Sequence, residues 1–178
     1  MEELVRPSQG TRFIGISNFN PAQLEDLLKI AQIKPKVHQF EAHPYLDQSD
    51  YVGRHKDLGI TVTGYAPLGN TNPVYGDIGK KAPPLLSNNI IIDISKDRKC
   101  SPAQVVLAWN VRRGVAVIPK AVEGIHQKEN FAAIKNCTIT DEDVQKIKLI
   151  GFNLRVNTNP CRSMNFTCFN GLSGAPYS

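Results

Sequence analysis

Residues 13–16, Phe-Ile-Gly-Ile, form a short apolar run that passes within four residues into a helix start. Asn20 suits the cap of that helix, and Pro21 suits its first position, where a missing N–H costs nothing. The hand-over from strand to helix then recurs at residues 37–41, 60–65 and 115–119. The helix at 21–32 keeps Leu24, Leu27, Leu28 and Ala31 on one face. A weaker one spans 47–58, with Gly53 inside it and Gly59 as its stop. Residues 88–96 read as helical, although Ile90-Ile91-Ile92 would suit a strand. Ser101-Pro102-Ala103-Gln104 is a capping box, and the helix it opens turns Val105, Ala108 and Trp109 inward until Gly114. A short helix over 127–134 follows. Thr140 caps a last helix through Val144, Ile147 and Ile150. Residues 1–9 read as the end of a helix, 70–84 as a long loop, and the stretch after Gly151 as an irregular tail. The strands read as apolar throughout, which predicts an α/β fold with a parallel sheet covered by helices.

Polar side chains gather where each strand ends: Ser17 and Asn18, then Gln39, then Tyr65, then Lys120. In parallel α/β folds this edge binds ligands. Asn18 and Gln39 offer amide donors and acceptors on short stems, and with the Ser17 hydroxyl they can bracket a carboxamide. Tyr65, between Gly64 and Pro67, offers a flat face for stacking. Lys120, after Pro119, is a fixed cation for a phosphate. Carboxamide clamp, stacking plane and phosphate cation are what a nicotinamide dinucleotide needs. Each residue alone has a plainer reading: Gln39 as a strand cap, Tyr65 as core, Lys120 as a surface charge.

A chain of 178 residues, 41% hydrophobic and 21% charged, fits one globular domain, and no run of about 18 apolar residues suggests a membrane span. The net charge of +5 suits an anionic small molecule about as well as an ordinary basic surface, so no nucleic-acid or membrane partner is expected. Cys100, Cys137, Cys161 and Cys168 lack Cys-x-x-Cys spacing and read as free thiols in a cytoplasmic protein, with no metal site. Two glycosylation sequons, at Asn136 and Asn165, are read as chance.

The motifs Gly15-Ile16-Ser17-Asn18-Phe19, His38-Gln39-Phe40-Glu41-Ala42-His43-Pro44-Tyr45, Gly64-Tyr65-Ala66-Pro67-Leu68-Gly69 and Val117-Ile118-Pro119-Lys120 together resemble the aldo-keto reductases. The resemblance runs over residues 1–152 and implies strands 5–8, the C-terminal half, of a (β/α)8 TIM-type barrel, with 153–178 as a tail or substrate loop. It implies reversible NADPH-dependent reduction of aldehydes or ketones. Ser17, Asn18 and Gln39 would then hold the nicotinamide carboxamide, and Tyr65 would stack under the ring. Leu68 and Asn70 would lie along the pyrophosphate. Lys120 would meet the 2′-phosphate of NADP, and Glu129 and Asn130 the adenine.

Two departures bear on the cofactor. Ala121 and His126 stand where the family often has a serine and an arginine on the 2′-phosphate. A histidine makes a weaker, pH-dependent contact there, so NAD stays open beside NADP. A larger departure concerns the acid. In the family a tyrosine supported by Asp, Lys and His protonates the carbonyl, and all four lie on earlier strands than any found here. His43 with Tyr45 is the nearest substitute, and its family counterpart is structural. The reading is therefore a reductase-type chain that is inactive alone, whose carbonyl substrate belongs to the full-length form. Its rivals are a non-catalytic nucleotide-binding or barrel-completing module and an incomplete gene model. Exposed strand edges and an uncovered apolar sheet face would favour self-association.

Overall fold

The computed structural model describes residues 1–5, 10–69 and 82–157. Four strands, β1 (Gly15–Ser17), β2 (Val37–Glu41), β3 (Thr61–Tyr65) and β4 (Val115–Val117), form one sheet in the order β1-β2-β3-β4. Every neighbouring pair is parallel, so all four C-terminal ends share one edge. The helices are α1 (Pro21–Ile30), α2 (Ser49–Asp57), α3 (Asn89–Arg98), α4 (Pro102–Arg112), α5 (Gly124–Phe131), α6 (Ala133–Asn136) and α7 (Asp141–Lys148).

Local chemistry sets the starts of the helices. Asn20, Ser101 and Thr140 each accept the backbone N–H three residues on, and Gln23, Gln104 and Asp143 return the bond to the cap. Asn88 caps α3 through the amide of Ile90, so the three consecutive isoleucines lie on a helix. Within residues 1–9, expected to end a helix, Glu2–Leu4 form a single 3-10 turn, and Arg6, Pro7, Ser8 and Gln9 lie outside the described residues.

Helix α4 is buried from Gln104 to Asn110 on every side, because it lies between β4 and the α3, α5 and α6 helices. Trp109 is 1% exposed at the centre of the larger cluster, with Ile91, Ile94, Val105 and Ile147 in the same core. A tryptophan hides on the order of 200 Å², worth ~5 kcal/mol by area. Arg113 lies over that ring at 3.9 Å and bonds Asp47, tying the end of α4 to the β2–α2 connection. Cys100 and Cys137 are joined as a disulfide, Cα to Cα 5.5 Å, so the free-thiol expectation fails for this pair. Sequence spacing held no sign of it because the bond joins a turn to a helix end 37 residues later.

The sheet corrects two further expectations. Its strands alternate. Phe40, Val62 and Val115 pack under α2 with Val52, while Ser17, Gln39, Thr63 and Ala116 stand in register as a row on the opposite face. That row is exposed or half-buried and is polar and small rather than apolar. A pleated strand with one face on helices and one toward a polar space needs alternation, and five-residue strands give only two periods of it to read.

Candidate functional site

At the end of β1 the chain turns through Asn18, which has a left-handed φ of 57°. Asparagine tolerates this conformation better than most residues. Its backbone N–H donates to the Gln39 carbonyl at 2.9 Å, and its Oδ1 accepts the Tyr65 hydroxyl at 3.0 Å. Tyr65 ends β3 opposite Glu41, so its phenol reaches across β2 to meet β1. Ser17 and Gln39 are register partners beside it. The structure thus brings Ser17, Asn18, Gln39 and Tyr65 to one place on the open face.

The backbone beneath Tyr65 is fixed from both sides. A Cβ at Gly64 would lie 3.1 Å from both Ala42 Cβ and Val115 Cγ1, so the position admits little beyond hydrogen. Ala66 carries φ 46°, a strained choice for a residue with a Cβ, and the Gly69 N–H donates to its carbonyl at 2.9 Å. Such strain persists where the surroundings over-determine it, and it clusters at binding sites. No local sequence signal marks Ala66.

Lys120 is exposed and follows β4 by three residues, on the same edge of the sheet as the first group. In α5, His126 Nδ1 lies 3.4 Å from Glu129 Oε2, and the Glu129 carbonyl accepts Gln104 Nε2 at 3.1 Å. Asn130 is half-buried in the same helix. Leu68 is half-buried against the larger core cluster, so its side chain serves packing. Asn70 lies outside the described residues.

His43 and Tyr45 form no acid. His43 is fully buried with Nε2 2.8 Å from Glu41, and the Tyr45 hydroxyl donates to the Pro83 carbonyl at 2.9 Å. Glu41 is fully buried as well. Burial works to raise its carboxyl, but His43, Arg155 and the Val156 N–H outweigh it and hold it below the usual carboxylate range. The Val156 and Asn157 amides donate to its two oxygens at 2.6 and 3.2 Å. Residues 153–157 are irregular, as expected, yet they are anchored on the end of β2 by this carboxylate. Among the described residues no cluster of His, Cys, Asp and Glu is suited to a metal, and no helix is long and apolar enough to cross a membrane.

Known proteins resemble this chain in sequence and in fold. The Aldo/keto reductase family pattern matches residues 1–151. An uncharacterized oxidoreductase of Schizosaccharomyces pombe is 42% identical over 159 residues, covering 88% of this chain and 47% of the relative. An aldo-keto reductase family 1 member A1-A of Danio rerio is 38% identical over 87% of the chain and 47% of its own length. The structure of an aldose reductase from Giardia lamblia superposes with a TM-score of 0.74 at 31% identity, over 88% of this chain and 50% of that one. The chain spans about half the length of the relatives it matches. On the strand-end motifs, the parallel sheet and these matches, the chain belongs to the aldo/keto reductase family.

Proposed function

We propose that this chain carries the dinucleotide-binding half of an NADPH-dependent reductase of aldehydes and ketones. The observation that carries the reading is the gathering of Ser17, Asn18, Gln39 and Tyr65 on an exposed polar face, with Lys120 on the same edge. That donor set fits the cofactor. The amides and hydroxyl match a carboxamide, the pinned phenol presents a ring, and Lys120 with His126 match a phosphate. When bound, the cofactor supplies the hydride. The chain's own residues orient the carboxamide, fix the plane against which the ring stacks, and neutralise phosphate charge. NADPH is preferred over NADH on the strength of Lys120 and His126, less strongly than in relatives with an arginine.

Among the described residues no general acid is assigned, since His43, Tyr45 and Glu41 are all held in buried contacts. General acid–base catalysis contributes typically 10²–10⁴-fold, so the 178-residue chain alone should bind cofactor without useful turnover. Steady NADPH oxidation with a small aldehyde by the purified chain would refute this part. The outer edges of β1 and β4 end the described sheet. Unpaired strand edges recruit partners, and closure into a barrel removes them. Pairing of these edges, with a second copy or with further strands, is proposed on that ground. Light scattering across a concentration series should show association.

A further inference from the structure

Between β1, β2 and α2 lies a closed circuit of hydrogen bonds that the cofactor contacts do not include. The Phe19 N–H donates to His38 Nε2 at 3.1 Å. His38 Nδ1 lies 2.7 Å from His55 Nε2, and His55 Nδ1 lies 2.6 Å from the Tyr51 carbonyl. The Tyr51 hydroxyl then donates to the Phe19 carbonyl at 2.9 Å. The circuit begins and ends on one residue, and that residue directly follows Asn18.

Its proton arrangement is determined from both ends. A backbone N–H can only donate, so His38 Nε2 must offer its lone pair. A backbone carbonyl can only accept, so His55 Nδ1 must carry its proton. The proton between the rings then sits on His38 Nδ1 and points at the His55 Nε2 lone pair. Both imidazoles are neutral in the same tautomer. A further proton on either ring would set two donors against each other, at Phe19 or between the rings. The surroundings favour the neutral state: His38 and His55 are fully buried, and Phe19, Phe40 and Tyr51 pack edge-on or tilted against the rings. The charged groups acting on the circuit are Arg54 beside His55 and Glu25 beside Tyr51, and these two are paired with each other at 2.8 Å.

We infer that His38, His55 and Tyr51 are positioning residues: both backbone groups of Phe19 are held from β2 and α2, and this fixes the left-handed turn at Asn18. None of the three touches the open polar face in the role proposed for them. They act through the turn. The consequence for ligand binding rests on the reading of Ser17 and Asn18 as cofactor contacts, whereas the circuit itself does not.

The test uses the 178-residue chain with ¹⁵N-labelled histidine and deuterium exchange. Long-range ¹H–¹⁵N spectra at neutral pH should show His38 and His55 both as neutral Nδ1–H tautomers. A proton on His38 Nε2, or an ordinary titration of His38 near pH 6.5, would overturn the circuit. Tyr51→Phe, a mild change that keeps the ring, should speed exchange of the Phe19 amide at least tenfold while the amides of Val62 and Leu107 stay as they were. His55→Phe should do the same, and His55→Gln, which can still accept from His38, should restore most of the protection. Unchanged exchange at Phe19 in both Tyr51→Phe and His55→Phe would refute the positioning role. In NADPH titrations, His55→Phe should weaken binding about tenfold, and an unchanged affinity would remove the link to the ligand. A wild-type chain that binds no NADPH sinks the cofactor reading instead, and the tautomers and exchange rates then decide the circuit alone.

Discussion

Asn18 combines a backbone and a side-chain task in one residue. Its φ of 57° is tolerated by asparagine and glycine, and its Oδ1 holds the Tyr65 hydroxyl. Asn18→Gly keeps the turn and removes the side chain, so cofactor affinity should fall about tenfold, the worth of one or two hydrogen bonds. Asn18→Ala adds ~1 kcal/mol of backbone strain and should lower the melting temperature as well. Equal melting of the two variants would show that the turn is not strained. Glu41 is a different case, since it is fully buried with His43 and Arg155 around it. Glu41→Gln leaves those donors facing a neutral amide and should cost ~3–5 kcal/mol. The loss should appear first as proteolysis near residues 153–157, whose Val156 and Asn157 amides it binds. Resistance to protease equal to wild type would contradict the anchoring role.

At the level of elements, the contact between β2 and α2 makes stability depend on pH in mild acid. Burial, and then the neighbouring His55, push the His38 pKa down to about 3, and burial pushes His55 down as well. In the unfolded chain a histidine titrates near pH ~6.5. Between pH ~6.5 and 3 the unfolded state therefore binds more protons, and stability falls as the pH falls through that window. From His38 alone the loss between pH ~6.5 and ~5 is about 2 kcal/mol. Glu41 and Asp143, both held below the usual carboxylate range, keep their charge at pH ~5, so the two effects separate. Urea midpoints at pH 7, 6 and 5 should fall steadily in wild type and clearly less in His38→Gln, where His55 alone of the pair still loses stability in acid. A flat wild-type profile would contradict the buried neutral pair. At the β3–β4 contact, Gly64→Ala puts a Cβ 3.1 Å from both Ala42 and Val115 and should cost ~1–3 kcal/mol, read from the melting curve.

For the whole molecule, the parallel order and the polar strand ends were legible because each is local. Gly15 to Phe19 and Gly64 to Gly69 are contiguous runs, and the caps at Asn20, Ser101 and Thr140 lie within four residues of their partners. The His38–His55–Tyr51 circuit was not legible. It joins residues 19, 38, 51 and 55 through buried space, and each alone looks like an ordinary core aromatic. The Glu41 anchor spans more than a hundred residues of chain to Val156, and the Cys100–Cys137 bond follows no spacing rule. Thr61-Val62-Thr63 carries the alternation of the strands, but so short a strand offers too few repeats to tell it from a buried run. What the fold adds to the motifs is that one sheet edge carries them all, with a polar face instead of an apolar one behind them.

Equilibrium titration of the 178-residue chain with NADPH and NADH, followed by fluorescence, decides whether this edge holds a phosphorylated nicotinamide dinucleotide, as proposed. The expected result is saturable binding of NADPH, tighter than NADH, with most of the difference lost in Lys120→Ala and the affinity for both lowered in Asn18→Gly. Absence of binding, or NADPH binding that neither substitution changes, would contradict it.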